Sequence, residues 1–329
     1  MKKILYFDTS SGVSGDMFVG ALIDAGADIE VIRKHIASLG LEGFCVRARK
    51  VSKNGLMGTK FDVLDPQTGL DVDAPADHGH GHSHDHDHTH GHGHDHGHSH
   101  AHNHSHEHGH DHEHGHGHGH SHSHESGEHS HSHGHSHEGH HHGHGHRQRH
   151  EPHRGLREIS GIIGNSGLPQ PVIDDAIAVF RLLAAAEAKV HGSTLEEVHF
   201  HEVGALDCIV DIVSAVSAFH QLNVDETWCS PLHVGSGTVR CAHGVLPVPA
   251  PATMELLQGV PIYSTEVKGE LVTPTGAALI RHFSKGFAPM PQMIVEHVGY
   301  GAGSKDFGIP NLLRATIGTR GRARPANAP

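Results

Sequence analysis

Cysteine is scarce in this chain: Cys45, Cys208, Cys229 and Cys241 are the only four in 329 residues, and none forms a CxxC pair. That density cannot frame a small disulfide fold and points to a reducing compartment. Long apolar runs are missing too. Only ILYF separates Lys3 from Asp8 at the N-terminus, too short for a signal peptide. No stretch approaches the ~20 apolar residues of a membrane-spanning helix. The expectation is a soluble, cytoplasmic protein without a membrane partner. A Walker A motif is absent, so a P-loop nucleotide site is excluded. There is no basic excess either, with 24 Lys and Arg against 37 Asp and Glu. The formal charge of −13 counts histidine as neutral, and partial protonation near its pKa of ~6.5 brings the balance closer to zero. Neither a nucleic-acid patch nor an acidic tail follows. The basic GTRGRARPANAP at the C-terminus reads as a frayed end.

What the chain has in excess is histidine. Of 45 histidines, 36 lie between His78 and His153, and residues 78–106 carry one at every second position. The tract has no apolar periodicity and is expected to be disordered, inserted between two structured segments. The expected division is residues 1–70 and 154–318 as the two parts of one domain, 71–153 as the insertion, and 319–329 as a tail. The 253 residues outside 78–153 suffice for a proper core.

Outside the tract the pattern mixes strands and helices. KKILYFD reads as a buried strand, and SSGVSG as a turn. Asp16 is expected to cap a helix over MFVGALIDAG that stops at Gly26. A helix follows over 29–39, then FCVRARKV and GTKFDVL as strands joined by the hairpin-like SKNGLM. Helices are expected at about 171–190, over ALDCIVDIVSAVSAFHQL, at the end of VLPVPAPATMELLQG and over TPTGAALIRHF. EVHFHEVG and TWCSPLHVG read as extended, GYGAGSKDFGIPN as a flexible glycine loop, MIVEHVGYG and LLRATIG as strands. The fold class is α/β or α+β, with a long disordered histidine-rich insertion.

The sharpest chemical signal is HFHEVGALDCIVD, residues 199–211. In an extended segment His199 and His201 share a side, and Glu202 follows directly. Asp207 and Asp211, four apart, share one face of an otherwise apolar helix. Two imidazoles with carboxylates make a mixed N/O set suited to Ni, Zn, Fe or Mn, against the plain alternative of solvated aspartates and packed histidines. FDTSSGVSGD supplies a second signal. A strand, a turn with Ser10, Ser11 and Ser14, and a helix start form a cradle for phosphate or carboxylate, and Asp8 and Asp16 can hold a cation there. TPTGAAL repeats the idea: Thr273 caps, Pro274 suits the first turn, and Thr275 and Gly276 leave amides open to an anion. Neither cradle carries a lysine or arginine within its own motif. His243, in the stiff loop CAHGVLPVPAPAT, is pre-oriented as a ligand or base.

FDTSSGVSGDMFVGALIDAG, HFHEVGALDCIVDIV, SPLHVGSGTVRCAHGVLPVPAPATMELLQGVPI, TPTGAAL and GYGAGSKDFGIPNLLR stand in this order. Together they resemble the LarC family, the nickel-insertion proteins of nickel-pincer cofactor biosynthesis. The resemblance covers nearly all the chain outside the tract. It implies a cytoplasmic cyclometallase of the lyase class that inserts Ni(II) into pyridinium-3,5-bisthiocarboxylic acid mononucleotide, forming one Ni–C and two Ni–S bonds. The implied recipient is apo-lactate racemase or a related enzyme. By that resemblance His199, His201 and Asp207 take nickel, Glu202 or His243 acts as base, and the Ser10–Asp16 or Thr273–Gly276 cradle holds the phosphate. The family also implies CTP with Mg²⁺ or Mn²⁺, used by a further C-terminal domain not evident in this chain. That domain would be a separate partner, and a homo-oligomer is left open. In such a protein the tract reads as a nickel reservoir. Two other classes stay in play: a nickel storage or delivery chaperone without turnover, and a metal-dependent phosphoesterase.

Overall fold

The computed structural model describes residues 2–72, 154–198, 200, 206–241 and 243–321. The histidine tract, His199, His201 and Glu202 lie outside the described residues. Stretches from both sides of the tract belong to one compact unit, residues 1–77 and 150–329.

Its centre is a seven-stranded mixed sheet in the order β11-β4-β1-β13-β12-β3-β2. The strands are β1 (Lys3–Asp8), β2 (Cys45–Lys53), β3 (Leu56–Leu64), β4 (Glu226–Cys229), β11 (Gly286–Phe287), β12 (Ile294–Ala302) and β13 (Leu312–Thr319). β1 runs parallel to β4 and antiparallel to β13. β3, which precedes the tract, pairs in parallel with β12, which follows it. Residues from both sides of the tract therefore share one sheet.

The hairpin of β2 and β3 forms where the sequence reading put it. Asn54 and Gly55 both take positive φ, at 49° and 83°, the conformation a two-residue turn with native strand twist demands.

The helices pack with the sheet around one core. Alternation along β1 sends Leu5 and Phe7 into that core and Ile4 and Tyr6 to the opposite face. α1 (Gly15–Asp24) lies on β3, β12 and β13; α5 (Leu206–Gln221) packs against α1 and α2 (Ile29–Ala37). α4 (Gln170–His191) packs against α5, α3 (Leu156–Gly164), α6 (Pro251–Leu256) and α7 (Pro274–Phe283).

Two local expectations change. The N-cap of α1 is Ser14, and Asp16 sits inside the first turn, where its charge still favours the helix N-terminus. The start of the glycine loop is strand: Gly299 to Ala302 belong to β12, and the loop proper begins at Gly303. A Cβ on Gly301 would stand 1.8 Å from the Met17 carbonyl oxygen, so its bare backbone is what lets α1 rest directly on the strand. Flanking that contact, Asp24 accepts from the Tyr300 N–H at 2.9 Å and the Thr59 hydroxyl at 2.8 Å.

Short strands complete the fold: β5 (Leu232–His233) pairs with β9 (Ile262–Tyr263), and β6 (Gly235–Ser236) with β10 (Gly269–Glu270). β7 (Thr238–Cys241) and β8 (Gly244–Pro247) form a hairpin whose turn contains His243. Among the described residues no helix is long and apolar enough to cross a membrane.

Candidate functional site

Two of the loops singled out by sequence are stitched together. Val13 N–H donates to the Leu271 carbonyl at 2.8 Å, and Thr273 N–H donates to the Val13 carbonyl at 3.1 Å. This pairing brings the N-termini of α1 and α7 side by side. Gly276 makes the approach possible, since a Cβ there would lie 2.3 Å from the Val13 carbonyl oxygen. Thr273 caps α7 as expected, accepting from the Gly276 N–H at 3.2 Å. The start of α5 joins them, with Cys208 Sγ 3.4 Å from Thr275 Oγ1.

Between these three helix starts and β3 lies a cavity of about 260 Å³. Asp16, Asp71, Asp207 and Asp211 line it, together with Lys60, Ser14, Gly15, Thr273, Thr275 and Ser304. Asp207 and Asp211 are the only charged residues between Leu206 and Phe219 of α5, and both reach the cavity because they lie one turn apart. Asp211 is pressed against the first residue of α1: a Cβ on Gly15 would lie 2.6 Å from its Oδ2. Asp71 arrives through the turn after β3, where Asp65 N–H donates to the Leu70 carbonyl at 2.8 Å and Asp71 bridges to Leu64.

Lys60 is the cation of the site. Its ammonium donates to Asp16 Oδ2 and, at 3.0 Å, to the Phe61 carbonyl, with only 8% of the side chain exposed. Burial alone would push the ammonium toward its neutral form. The charges of Asp16, Asp211 and Asp62, with the bond to Asp16, outweigh that and raise its pKa above the ordinary lysine value. Asp16 also accepts from the Ser14 hydroxyl and from the Met17 N–H at 2.8 Å. Among the described lining residues carboxyl groups outnumber the one ammonium, while helix N-termini offer partial positive charge. Such a cavity attracts a cation, and an anionic group enters best alongside one. Among the described residues no three His, Cys, Asp or Glu stand together in an arrangement that could hold a metal ion.

Of the residues named from sequence, Ser14, Asp16, Asp207, Asp211, Thr273 and Thr275 meet at this cavity. Asp8 instead pairs with Arg314 and accepts from the Ser10 N–H at 3.1 Å. Ser10 and Ser11 are not among the lining residues, and Gly276 serves the close packing of α7. His243 lines a different cavity of about 410 Å³, together with His191, Cys241, Glu187, Glu270 and Lys305. A smaller cavity of about 160 Å³ shares Glu270 and Lys305 with that one and Ser14, Asp16, Thr273 and Ser304 with the acidic one.

Sequence reasoning missed Lys60, Asp71 and His191. Lys60 had a signal, a lysine inside the buried run of β3; Asp71 and His191 had none. Neither cradle carries a cation within its own motif, and the fold supplies one from outside it: a strand distant in sequence brings Lys60 to Asp16.

Fold and site together define a mixed α/β protein with an acidic cavity at a meeting of helix N-termini, suited to a cation and an anionic ligand. The chain matches the family described as nickel insertion protein over residues 5–328 and belongs to it. It is 39% identical over 316 residues to the pyridinium-3,5-bisthiocarboxylic acid mononucleotide nickel insertion protein of Desulfitobacterium hafniense strain DSM 10664 / DCB-2, covering 96% of this chain and 58% of that protein. A protein of the same name from Geobacillus kaustophilus strain HTA426 is 37% identical over 321 residues, covering 97% of this chain and 61% of its own length. The chain thus spans about three-fifths of the length of these relatives. No solved structure matches it.

Proposed function

We propose that this chain takes part in inserting Ni(II) into pyridinium-3,5-bisthiocarboxylic acid mononucleotide, the substrate in the names of its relatives. The observation that carries this reading is the acidic cavity, where Asp16, Asp71, Asp207 and Asp211 face Lys60 beside three helix starts. Nickel is cargo here, so its protein ligands must let go. Carboxylate oxygens and imidazoles suit Ni(II) yet yield to the two softer sulfurs of the substrate. Asp207 and Asp211, with His199 and His201, are assigned to nickel. The substrate phosphate is assigned to Ser14, Thr273 and Thr275 at the starts of α1 and α7. Lys60 fixes Asp16 and offsets part of the negative charge that phosphate meets. As the Ni–C bond forms, the pyridinium ring carbon loses its proton to a base. Glu202 or His243 is assigned as that base; His243 stands in the wall of the neighbouring cavity.

The further assignments follow the family resemblance: cytoplasmic location, lyase chemistry, delivery to apo-lactate racemase or a related enzyme, and use of CTP with Mg²⁺ or Mn²⁺. CTP use is assigned to family sequence outside the stretch matched here. The tract at 78–153 is assigned to nickel storage by many weak, exchangeable imidazole sites.

The test is to incubate the chain with nickel, CTP, Mg²⁺ and the bisthiocarboxylate mononucleotide, with and without the remainder of a longer relative, and to seek the nickel-bearing product by mass spectrometry. Product that vanishes in Asp207→Asn and Asp211→Asn variants of unchanged fold supports the reading. Undiminished product from the double variant overturns the nickel assignment.

A further inference from the structure

The cavity of about 410 Å³ lies within the range of small-molecule sites, roughly 300–1,000 Å³. Much of its wall is apolar. Val190 comes from the end of α4, Val239 and Leu246 from the β7–β8 hairpin, and Ala250, Pro251 and Ala252 from the start of α6. Val190 is 40% exposed, an apolar side chain that meets this hollow and not the core. The frame is stiff. Val248 N–H donates to the Gly237 carbonyl at 3.0 Å, which closes the hairpin, and Pro247, Pro249 and Pro251 restrict the chain that leads into α6.

The charged groups of the wall differ in kind. His191 Nε2 faces Glu187 Oε2 at 3.5 Å, and its ring centre lies 4.9 Å from that of His243. These three side chains, and Glu270 with them, are already engaged. Arg240 and Lys305 are exposed, and among the described residues neither forms an ion pair. Lys305 stands on a loop held by its backbone. Its carbonyl accepts from Asn311 Nδ2 at 3.0 Å and from Lys53 Nζ at 3.4 Å, and Asn311 is buried. The loop is fixed, and the ammonium is left to solvent. Through Lys305 and Glu270 this cavity borders the one of about 160 Å³, which in turn adjoins the acidic cavity.

An apolar wall beside two exposed cations selects a particular kind of molecule. An apolar body seated there takes Val190 and its neighbours out of water, and a guanidinium fork with an ammonium matches an oxyanion head. We propose that this cavity binds a small organic oxyanion with an apolar or aromatic body, its head held by Arg240 and Lys305. The site is separate from the nickel and phosphate assignments and does not rest on them.

Cys241 lines the cavity and is partly exposed, so its thiol reports occupancy. The intact chain is alkylated with iodoacetamide at pH 8, where histidine is largely neutral, and each cysteine is followed by peptide mass spectrometry. The probe is 8-anilinonaphthalene-1-sulfonate, an aromatic body with one oxyanion. Its fluorescence on the same samples gives a second reading of affinity. The expected result is a saturable slowing of Cys241 alkylation while exposed Cys45 reacts as before. N-phenyl-1-naphthylamine, the same rings without the sulfonate, should need about ten-fold more for equal protection. Arg240→Gln with Lys305→Gln should weaken the sulfonate about ten-fold and bring the two probes level. Lys268→Gln, which removes an exposed lysine outside the cavity wall, should leave its affinity unchanged. Unslowed Cys241 at saturating probe overturns the proposal. So does equal protection by the neutral amine, undiminished protection after loss of both cations, or equal weakening by Lys268→Gln.

Discussion

At the scale of single residues, two charges carry the argument. Lys60 is buried among three aspartates, and replacing it by methionine removes their common counter-charge. Breaking a buried ion pair from one side costs about 3–5 kcal/mol, and the partial exposure of Asp16 places this case near the lower bound. Urea unfolding at pH 7 is expected to show Lys60→Met less stable by about 3 kcal/mol; a loss below about 1 kcal/mol, the range of surface pairs, would make Lys60 a spectator. Glu226 offers a pH reading. Bonds from Lys2 at 2.6 Å and Lys285 at 2.9 Å pull its carboxyl down from 4.5 to about 2. A depressed carboxyl contributes stability that is full above the unfolded pKa and lost as pH falls through the folded one. Stability curves of the native chain and Glu226→Gln should therefore lie apart at neutral pH and converge between pH 4.5 and about 2. A gap that stays constant down to pH 2 contradicts the ion cluster. Cys229 shows the opposite effect: burial pushes its thiol up to about 12, and it should resist alkylation while exposed Cys45 reacts.

At the scale of elements, helix α1 depends on glycine in the strand beneath it. Gly301→Ala would drive a Cβ into the Met17 carbonyl, and backbone on both sides leaves nothing flexible to move. Overpacking of this kind costs about 1–3 kcal/mol, a fall in Tm of roughly 2–4 °C per kcal/mol for a domain of this size. Calorimetry showing an unchanged Tm would mean that α1 does not rest on β12. Much of this level was legible in the sequence. Asn54-Gly55, Thr273-Pro274 and the apolar spacing of α4 and α5 are local signals, and each element appears where its signal stood. The aspartates of α5 were legible for the same reason, since two charges on one face of an apolar helix must find something polar. Asp71 and His191 were not, because the cavities they line are completed by chain segments far away; Lys60 left a trace, a lysine in a buried strand, but its partner Asp16 lies far off in sequence. The function of Gly301 was hidden likewise: a glycine that admits a helix reads, in one dimension, like a glycine in a loop.

At the scale of the molecule, the tract at 78–153 stands out by composition: it has no apolar periodicity with which to build a core. Deleting residues 78–153 is therefore expected to leave cooperative thermal unfolding intact, because the segment has no apolar surface to bury. Bound nickel per chain should drop by several ions on equilibrium dialysis while tighter binding persists. A deletion variant that melts without a cooperative transition would show that the tract is part of the fold.

The order of the sheet has a consequence for biosynthesis. β13 runs between β1 and β12, pairs with both, and buries Leu313, Ala315 and Ile317. Until residues 312–319 have been translated, the sheet can exist only as two slabs, β11-β4-β1 and β12-β3-β2, and the inner edge of each, β1 and β12, is left open. Nascent chains fold from the N-terminus onward, and unpaired edges recruit other strands. The interval before β13 emerges is thus when this polypeptide is most exposed to misassembly, and a ribosome stalled before codon 312 would release a product with two adhesive borders and no strand to close them.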